Sequence, residues 1–367
     1  MIDPTPDPLK SALAMERALP RGGMIQRFEI VRVLADTSIG IDYLAINLDR
    51  ATEVVLKEYL PQRLARRERK QMVARTPDDA PALARGLQAF LTEGYLLARV
   101  EHPALVRVLS VIEANETAYQ VLPHRGGATL LQLRQEMDGP PDEHAVRALI
   151  DPLLGALHAL HQDGMIHGAV APGNILLLRH DRPLLLGPEL ARAEITNDLI
   201  ESLMGTVEPA FDAPEQRRPS PDRPPGPWTD LYSLAATIRF FIGGELPPPA
   251  AERPADDAHE PLAQLVKRIA GESGAPRYGT ALLGALDVAL EPSPGARPRS
   301  VAAFRALLGA GPTRTLPEFA VSGGPDSGAG GLVSTPFIEP DPEPDPVPSI
   351  GPASDFDRIV PPSTPRR

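Results

Sequence analysis

Apolar and polar positions along the chain first settle into a strand-like pattern at Phe28. The run Phe28-Glu29-Ile30-Val31-Arg32-Val33-Leu34 is rich in β-branched residues and breaks at Asp36-Thr37-Ser38. Tyr43-Leu44-Ala45-Ile46 predicts a second strand, and after the short turn Leu48-Asp49-Arg50 a third follows over Glu53–Tyr59. Between 84 and 100 the period changes, and Leu87, Phe90, Leu91, Gly94 and Leu97 fall on one helical face. Val106–Ile112 and Ala118–Leu122 predict two more strands, and Gly126-Gly127 marks a hinge. Beyond it helical spacing dominates, over 128–137, 143–162, 229–242, 260–270, 279–290 and 299–308. The order predicts an α+β fold, a small antiparallel sheet with one main helix followed by a larger helical body.

Composition changes this picture at the two ends. The chain carries 44 prolines among 367 residues, well above the usual roughly 5%. Residues 1–26 hold several of them with little apolar periodicity, and are expected to form an N-terminal extension. From 311 to 367 the sequence is mostly Pro, Gly, Ser and acidic residues, as in Glu339-Pro340-Asp341-Pro342-Glu343-Pro344-Asp345-Pro346. Such a segment cannot bury enough apolar surface to offset the entropy of ordering, so a disordered tail is expected. Two apolar islands, Leu332–Ile338 and Phe356–Val360, have the make-up of short docking motifs, and Thr335 and Thr364 each precede a proline as a kinase target would.

The net charge of −11 argues against a nucleic-acid partner, which demands a basic footprint. The absence of cysteine excludes disulfides and thiolate metal sites and suits a reducing, cytoplasmic setting. No apolar run approaches the about 18 residues of a membrane span, and MIDPTPDPLK lacks signal-peptide character, so no membrane insertion or export is expected. A basic stretch, Arg63, Arg66, Arg67, Arg69, Lys70 and Arg75, is expected to be a solvated face, with docking of an acidic partner as the alternative.

The candidate chemistry lies in the octet His167-Gly168-Ala169-Val170-Ala171-Pro172-Gly173-Asn174. It resembles the catalytic loop of protein kinases, H-R-D-L-x-x-x-N, in which the Asp accepts the substrate hydroxyl proton and the Asn holds magnesium. His167 and Asn174 stand in place, while Gly168 replaces the Arg and Ala169 replaces the catalytic Asp. The resemblance extends over residues 27–309 and is closest to bacterial Ser/Thr kinases whose third strand reads I-K-E-Y-L-P, here Leu56-Lys57-Glu58-Tyr59-Leu60-Pro61. It implies a bilobal fold with an N-lobe over 27–125 and a C-lobe over 126–310.

Carried onto this chain, the resemblance makes Lys57 the phosphate-binding lysine and Glu93 its ion-pair partner. The glycine loop G-x-G-x-x-G falls on Ala35-Asp36-Thr37-Ser38-Ile39-Gly40 and keeps only Gly40, so phosphate grip is expected to be poor. The metal-binding Asp of D-F-G falls on Gly187, in Gly187-Pro188-Glu189, which leaves Asn174 as the remaining magnesium ligand, with Glu189 as a displaced substitute. One neutral amide does not hold Mg²⁺. The positions that hold the fold survive: His167 as a packing residue, Glu215 of Ala213-Pro214-Glu215 with Arg297 as its partner, and Asp230 as the cap of the catalytic-loop backbone.

The resemblance therefore implies a pseudokinase, a signalling scaffold or allosteric regulator that works through protein partners: an active kinase, a substrate or another signalling protein. ATP could bind without productive Mg²⁺. An atypical active Ser/Thr kinase, and an interaction protein that works through its tail without nucleotide, are the alternatives.

Overall fold

A computed structural model of the protein describes residues 17–178, 182–187, 210–217, 220–248, 260–270 and 278–309. The expected tail, the first 16 residues and Glu189 lie outside the described residues.

The upper part is a six-stranded antiparallel sheet. Its strands are β1 (Met24–Ile25), β2 (Phe28–Asp36), β3 (Gly40–Asn47), β4 (Thr52–Tyr59), β7 (Ser110–Ala114) and β8 (Thr117–Pro123), in the spatial order β1-β2-β3-β4-β8-β7. Two register shifts in the β2–β3 pairing, between Ile30 and Arg32 and between Val33 and Ala35, are the irregularities that bend a strand near its turn. Helix α1 (Ala80–Leu97) packs on one face, where Tyr59 and Phe90 place their rings 5.6 Å apart. Gly40 is dictated by close packing: a Cβ there would stand 1.7 Å from the Glu58 carbonyl oxygen.

The other face is covered by elements absent from the sequence expectation. The basic stretch folds into a hairpin, β5 (Ala65–Glu68) and β6 (Gln71–Ala74). It is only partly a solvated face. The Arg67 guanidinium is buried against the carboxylate of Glu58 at 2.5 Å, and Tyr43 and Tyr119 donate to the same carboxylate at 2.7 and 2.6 Å. Burial in contact with this anion pushes both phenols far above their ordinary pKa. The expected extension also joins this lobe in part, for β1 pairs with β2, Leu19 is buried, and Arg17 binds Asp36 and the Leu60 carbonyl.

The strand expected at Val106–Ile112 begins only at Ser110. Ahead of it the backbone turns to the lower lobe: Val106 donates to the Leu185 carbonyl, and Leu185 donates to that of Ala104. Leu97, Val100, Ala104, Leu105 and Val108 accordingly belong to the lower core. The two lobes thus have separate apolar cores, and the second enters the first at the foot of α1.

The lower lobe is built from α2 (Leu130–Glu136), α3 (Glu143–Gln162), α4 (Pro214–Arg217), α5 (Pro227–Gly243), α6 (Leu262–Ala270), α7 (Thr280–Ala289) and α8 (Val301–Leu308). Helix starts are capped by side chains: Thr129 accepts from Gln132, Asp142 from Ala145 and Ser300 from Ala303. Helix α5 is buried at every residue from Thr229 to Ile242, which makes it the axis of the lobe. The short strands β9 (Ala128–Thr129), β10 (Ile175–Leu177) and β11 (Pro183–Leu185) form a small sheet beside the catalytic-loop region.

Removing Arg67 would leave the fully buried Glu58 carboxylate without its cation. Arg67→Ala is expected to lower stability by about 3–5 kcal/mol. Arg66→Ala, whose partner Glu68 is exposed, is expected to stay within about 0.5 kcal/mol of wild type. Urea midpoints of the two variants provide the check, and equal midpoints would remove the buried pair from the account.

Candidate functional site

The loop carrying His167 to Asn174 is held from below by the first turn of α5. Asp230 is wholly buried, and its carboxylate accepts from the backbone N–H of His167 at 2.9 Å and of Gly168 at 2.7 Å. His161 at the end of α3 stands 2.7 Å from the same carboxylate through Nε2. A carboxylate near a helix N-terminus is further favoured by the peptide dipoles. His167 itself is 1% exposed. Its Nε2 meets the Leu186 carbonyl at 2.6 Å, and its Nδ1 accepts from the Ala169 N–H at 3.2 Å. Those two partners assign the neutral tautomer with the proton on Nε2, so the ring is engaged on both sides and serves packing.

Gly168 takes φ +70°, a conformation that an L-residue occupies only with strain. Its carbonyl accepts from Gln216 at 2.7 Å, which ties the loop to α4. Asn174 donates through Nδ2 to the Ala169 carbonyl at 2.9 Å. Hydrogen bonds thus hold the loop backbone on both sides of Ala169, which contributes a methyl group within it.

The second tie runs from the neighbouring residue of α5. Thr229 donates to Glu215 at 2.8 Å, and Glu215 receives Arg297 in a two-pronged pair at 2.8 and 3.1 Å. The expected partnership of Glu215 and Arg297 is thus present, with both side chains fully buried. Burial pulls the Arg297 guanidinium below its ordinary value while Glu215 pushes it back up. Arg297 also lies over the ring of Tyr232, 4.6 Å from its centre.

In the upper lobe, Lys57 on β4 faces Gln120 on β8 across the ladder. Gln120 reaches Phe90 O at 3.0 Å and Glu93 at 3.4 Å. Gln120 thereby connects the strand position opposite Lys57 to Glu93, which is 1% exposed. Gly187 closes the arrangement from below. A Cβ on it would lie 3.1 Å from Leu97 and 3.6 Å from a Glu93 carboxylate oxygen, so a side chain at 187 starts out toward the helix and an acid.

The stretch Ala35–Gly40 bends back on itself. Thr37 N donates to the Gly40 carbonyl, while Ile39 N and Gly40 N both donate to Thr37 Oγ1. Leu60 N and Gln62 N bind the carbonyls of Ile39 and Ser38. In a phosphate-binding glycine loop the backbone amides are turned to the ligand; here those of Thr37, Ile39 and Gly40 serve the turn. Neither do the metal-position residues fit Mg²⁺: Gly187 offers no donor, and the Asn174 side chain is neutral and turned to Ala169.

The sequence reading missed Gln216 and His161, which have no motif of their own, and it named Glu58 in the I-K-E-Y-L-P strand and Arg67 in the basic stretch without joining them. It also passed over Asp42, which stands at the Val of G-x-G-x-x-G-x-V; counting two residues past Gly40 would have found it.

Comparison with known proteins matches this fold. The model of the protein kinase domain matches residues 35–278, about two thirds of the chain, and the chain belongs to that family. It is 30% identical over 245 residues to the Serine/threonine-protein kinase PknL of Mycobacterium bovis, covering 66% of this chain and 53% of that one. It is 34% identical over 162 residues to PknK of the same organism, covering 43% of this chain and 14% of the relative. The chain thus spans about half or less of the length of these curated relatives. Among solved structures, PpkA-294 in its apo form superposes with a TM-score of 0.68 at 32% identity, over 80% of this chain and 99% of that chain. The Mycobacterium tuberculosis PknI kinase domain superposes at 0.58 with 21% identity, over 79% and 98%, which is a likeness of fold. No helix among the described residues is long and apolar enough to cross a membrane.

Arg297→Ala strands Glu215 in the core and is expected to cost about 3–5 kcal/mol. Arg297→Lys keeps the charge but loses the two-pronged geometry, so it should recover only part of the loss. A melting temperature unchanged in Arg297→Ala would contradict the pair's role.

Proposed function

We propose that the chain is a pseudokinase: a kinase-family protein related to bacterial Ser/Thr kinases in which phosphate transfer has been lost and the fold serves as a signalling scaffold or allosteric regulator in the cytoplasm. Its partners are proteins, an active kinase or a substrate, as the kinase relatives suggest. The observation that carries the reading is the loop of Ala169. Its backbone is held at His167, Gly168 and Ala169 by Asp230, Gln216 and Asn174, yet it presents a methyl where a general base is required. Intact scaffolding around missing chemistry is what selection for shape without turnover leaves behind.

Two further features support it. Gly187 brings no carboxylate to the metal position, and three amides of the Thr37 turn are engaged within the turn itself. Loss of a general base alone costs about 100- to 10,000-fold. Against a family rate of about 1–100 s⁻¹, turnover should be on the order of 1 s⁻¹ at best, and thousands of times lower once the other losses act on the same transition state.

The test is phosphate transfer from ATP to a generic protein substrate with Mg²⁺ or Mn²⁺, in wild type and Lys57→Met. Equal background rates are expected. Lys57-dependent transfer at ordinary kinase rates would overturn the reading in favour of an atypical active kinase. Restoring Ala169→Asp with Gly187→Asp is expected to leave the rate low, because the new side chain at 187 begins 3.6 Å from Glu93.

A further inference from the structure

The row of residues that crosses the sheet through Lys57 has an acid at its next position. Ala35, Asp42, Lys57 and Gln120 stand directly opposite one another on β2, β3, β4 and β8. Residues paired in this way project to the same face, with Cβ atoms about 4.5–5.5 Å apart. The face is identified by Gln120, whose amide contacts Phe90 and Glu93 of α1. Gly187 lies on the same side, where a Cβ on it would stand 3.6 Å from a Glu93 carboxylate oxygen. Asp42 is half-buried, with Oδ1 shut off from solvent. Neither Asp42 nor Lys57 is free of interactions within the fold. In the family pattern the residue two beyond the last glycine is Val, an apolar roof; this chain carries a carboxylate.

We propose that Asp42 is the residue that keeps nucleoside triphosphates out of the upper half of the cleft, by setting its own carboxylate against the charge of Lys57 that a phosphate would otherwise meet. The inference rests on the reading of Lys57 as the family's phosphate lysine and deepens the pseudokinase assignment. Lys57 shares its face of the sheet with two acids: Asp42 directly opposite on β3, and Glu93, which meets Gln120, the partner of Lys57 on β8. One ammonium on a face that also carries two carboxylates leaves no net positive charge there for a polyanion. The amides of the Thr37 turn add none, since those of Thr37, Ile39 and Gly40 are used internally. An apolar base entering beneath Asp42 would also strip water from a charge, which is unfavourable without a partner.

The experiment measures binding rather than turnover. Full-length wild type, Asp42→Val and Asp42→Asn are titrated with ATP in EDTA, using an N-methylanthraniloyl-ATP fluorescence signal and competition by unlabelled ATP. Wild type is expected to bind more weakly than about 1 mM, and Asp42→Val at least about tenfold more tightly. Asp42→Asn, which keeps the shape and loses the charge, should fall between them, and Lys57→Met added to Asp42→Val should abolish the gain. Wild type that binds as tightly as Asp42→Val overturns the proposal. So does an Asp42→Asn protein with unchanged melting temperature and no gain; this variant decides the matter if Asp42→Val fails to fold. Tight wild-type binding without phosphate transfer would remove Asp42 from this role and leave the pseudokinase reading standing. Lys57-dependent transfer would instead strike at that reading itself.

Discussion

The first turn of α5 is where the lower lobe is tied together, through two adjacent side chains. Asp230 gathers the backbone of His167 and Gly168 and the ring of His161, while Thr229 passes a hydrogen bond to Glu215 and so to Arg297. These groups are buried, so each would be costly if left without its partner. That mutual dependence makes the turn an all-or-none structure. With it formed, the catalytic-loop region, α4 and the segment before α8 are held in one arrangement. The arrangement does not depend on what residue 169 is. Chemistry can therefore be lost from the loop without loosening the fold.

Strand β4 divides two kinds of polar burial by its alternation. Lys57 faces α1 and the cleft, whereas Glu58 faces the hairpin of β5 and β6, where Arg67, Tyr43 and Tyr119 satisfy it. The second cluster fastens the hairpin, and beside it Arg17 and Leu19 bring part of the N-terminal segment onto the same lobe. The first bears on ligands. Two neighbouring positions on one strand thus separate what stabilises the lobe from what the cleft can hold.

Gly40 and Gly187 show why an alignment of motifs needs geometry to be interpreted. Gly40 is the one glycine kept from the phosphate loop, and its place is fixed by the Glu58 carbonyl lying where a Cβ would go. Gly187, at the position of a metal ligand, points its missing side chain toward Leu97 and Glu93. Packing requirements thus account for one retained position, and the surroundings of the other explain why a single reverse substitution would not recover the lost ligand.

The sequence by itself determined the order of the elements, the bilobal family, and the partners Glu215–Arg297 and Asp230 with His167. The order of elements follows from local periodicity; the family and those partners follow from the resemblance of the chain's motifs to those of protein kinases. It also determined that Ala169 and Gly187 lack carboxylates, since identity alone decides that. It placed a strand at Val106–Ile112, because an apolar β-rich run looks the same whether its amides pair within a sheet or with Leu185. It left the stretch from Arg63 to Arg75 as a solvated basic face, because a cation that will meet Glu58 across a sheet is not distinguishable in sequence from one that meets water. Only the tertiary structure set Asp42 opposite Lys57, turned the amides of the Thr37 loop inward and buried Arg67. The first and last depend on strand register and on contacts between residues far apart in the chain, while the Thr37 amides are held by bonds within the turn that no sequence motif announces.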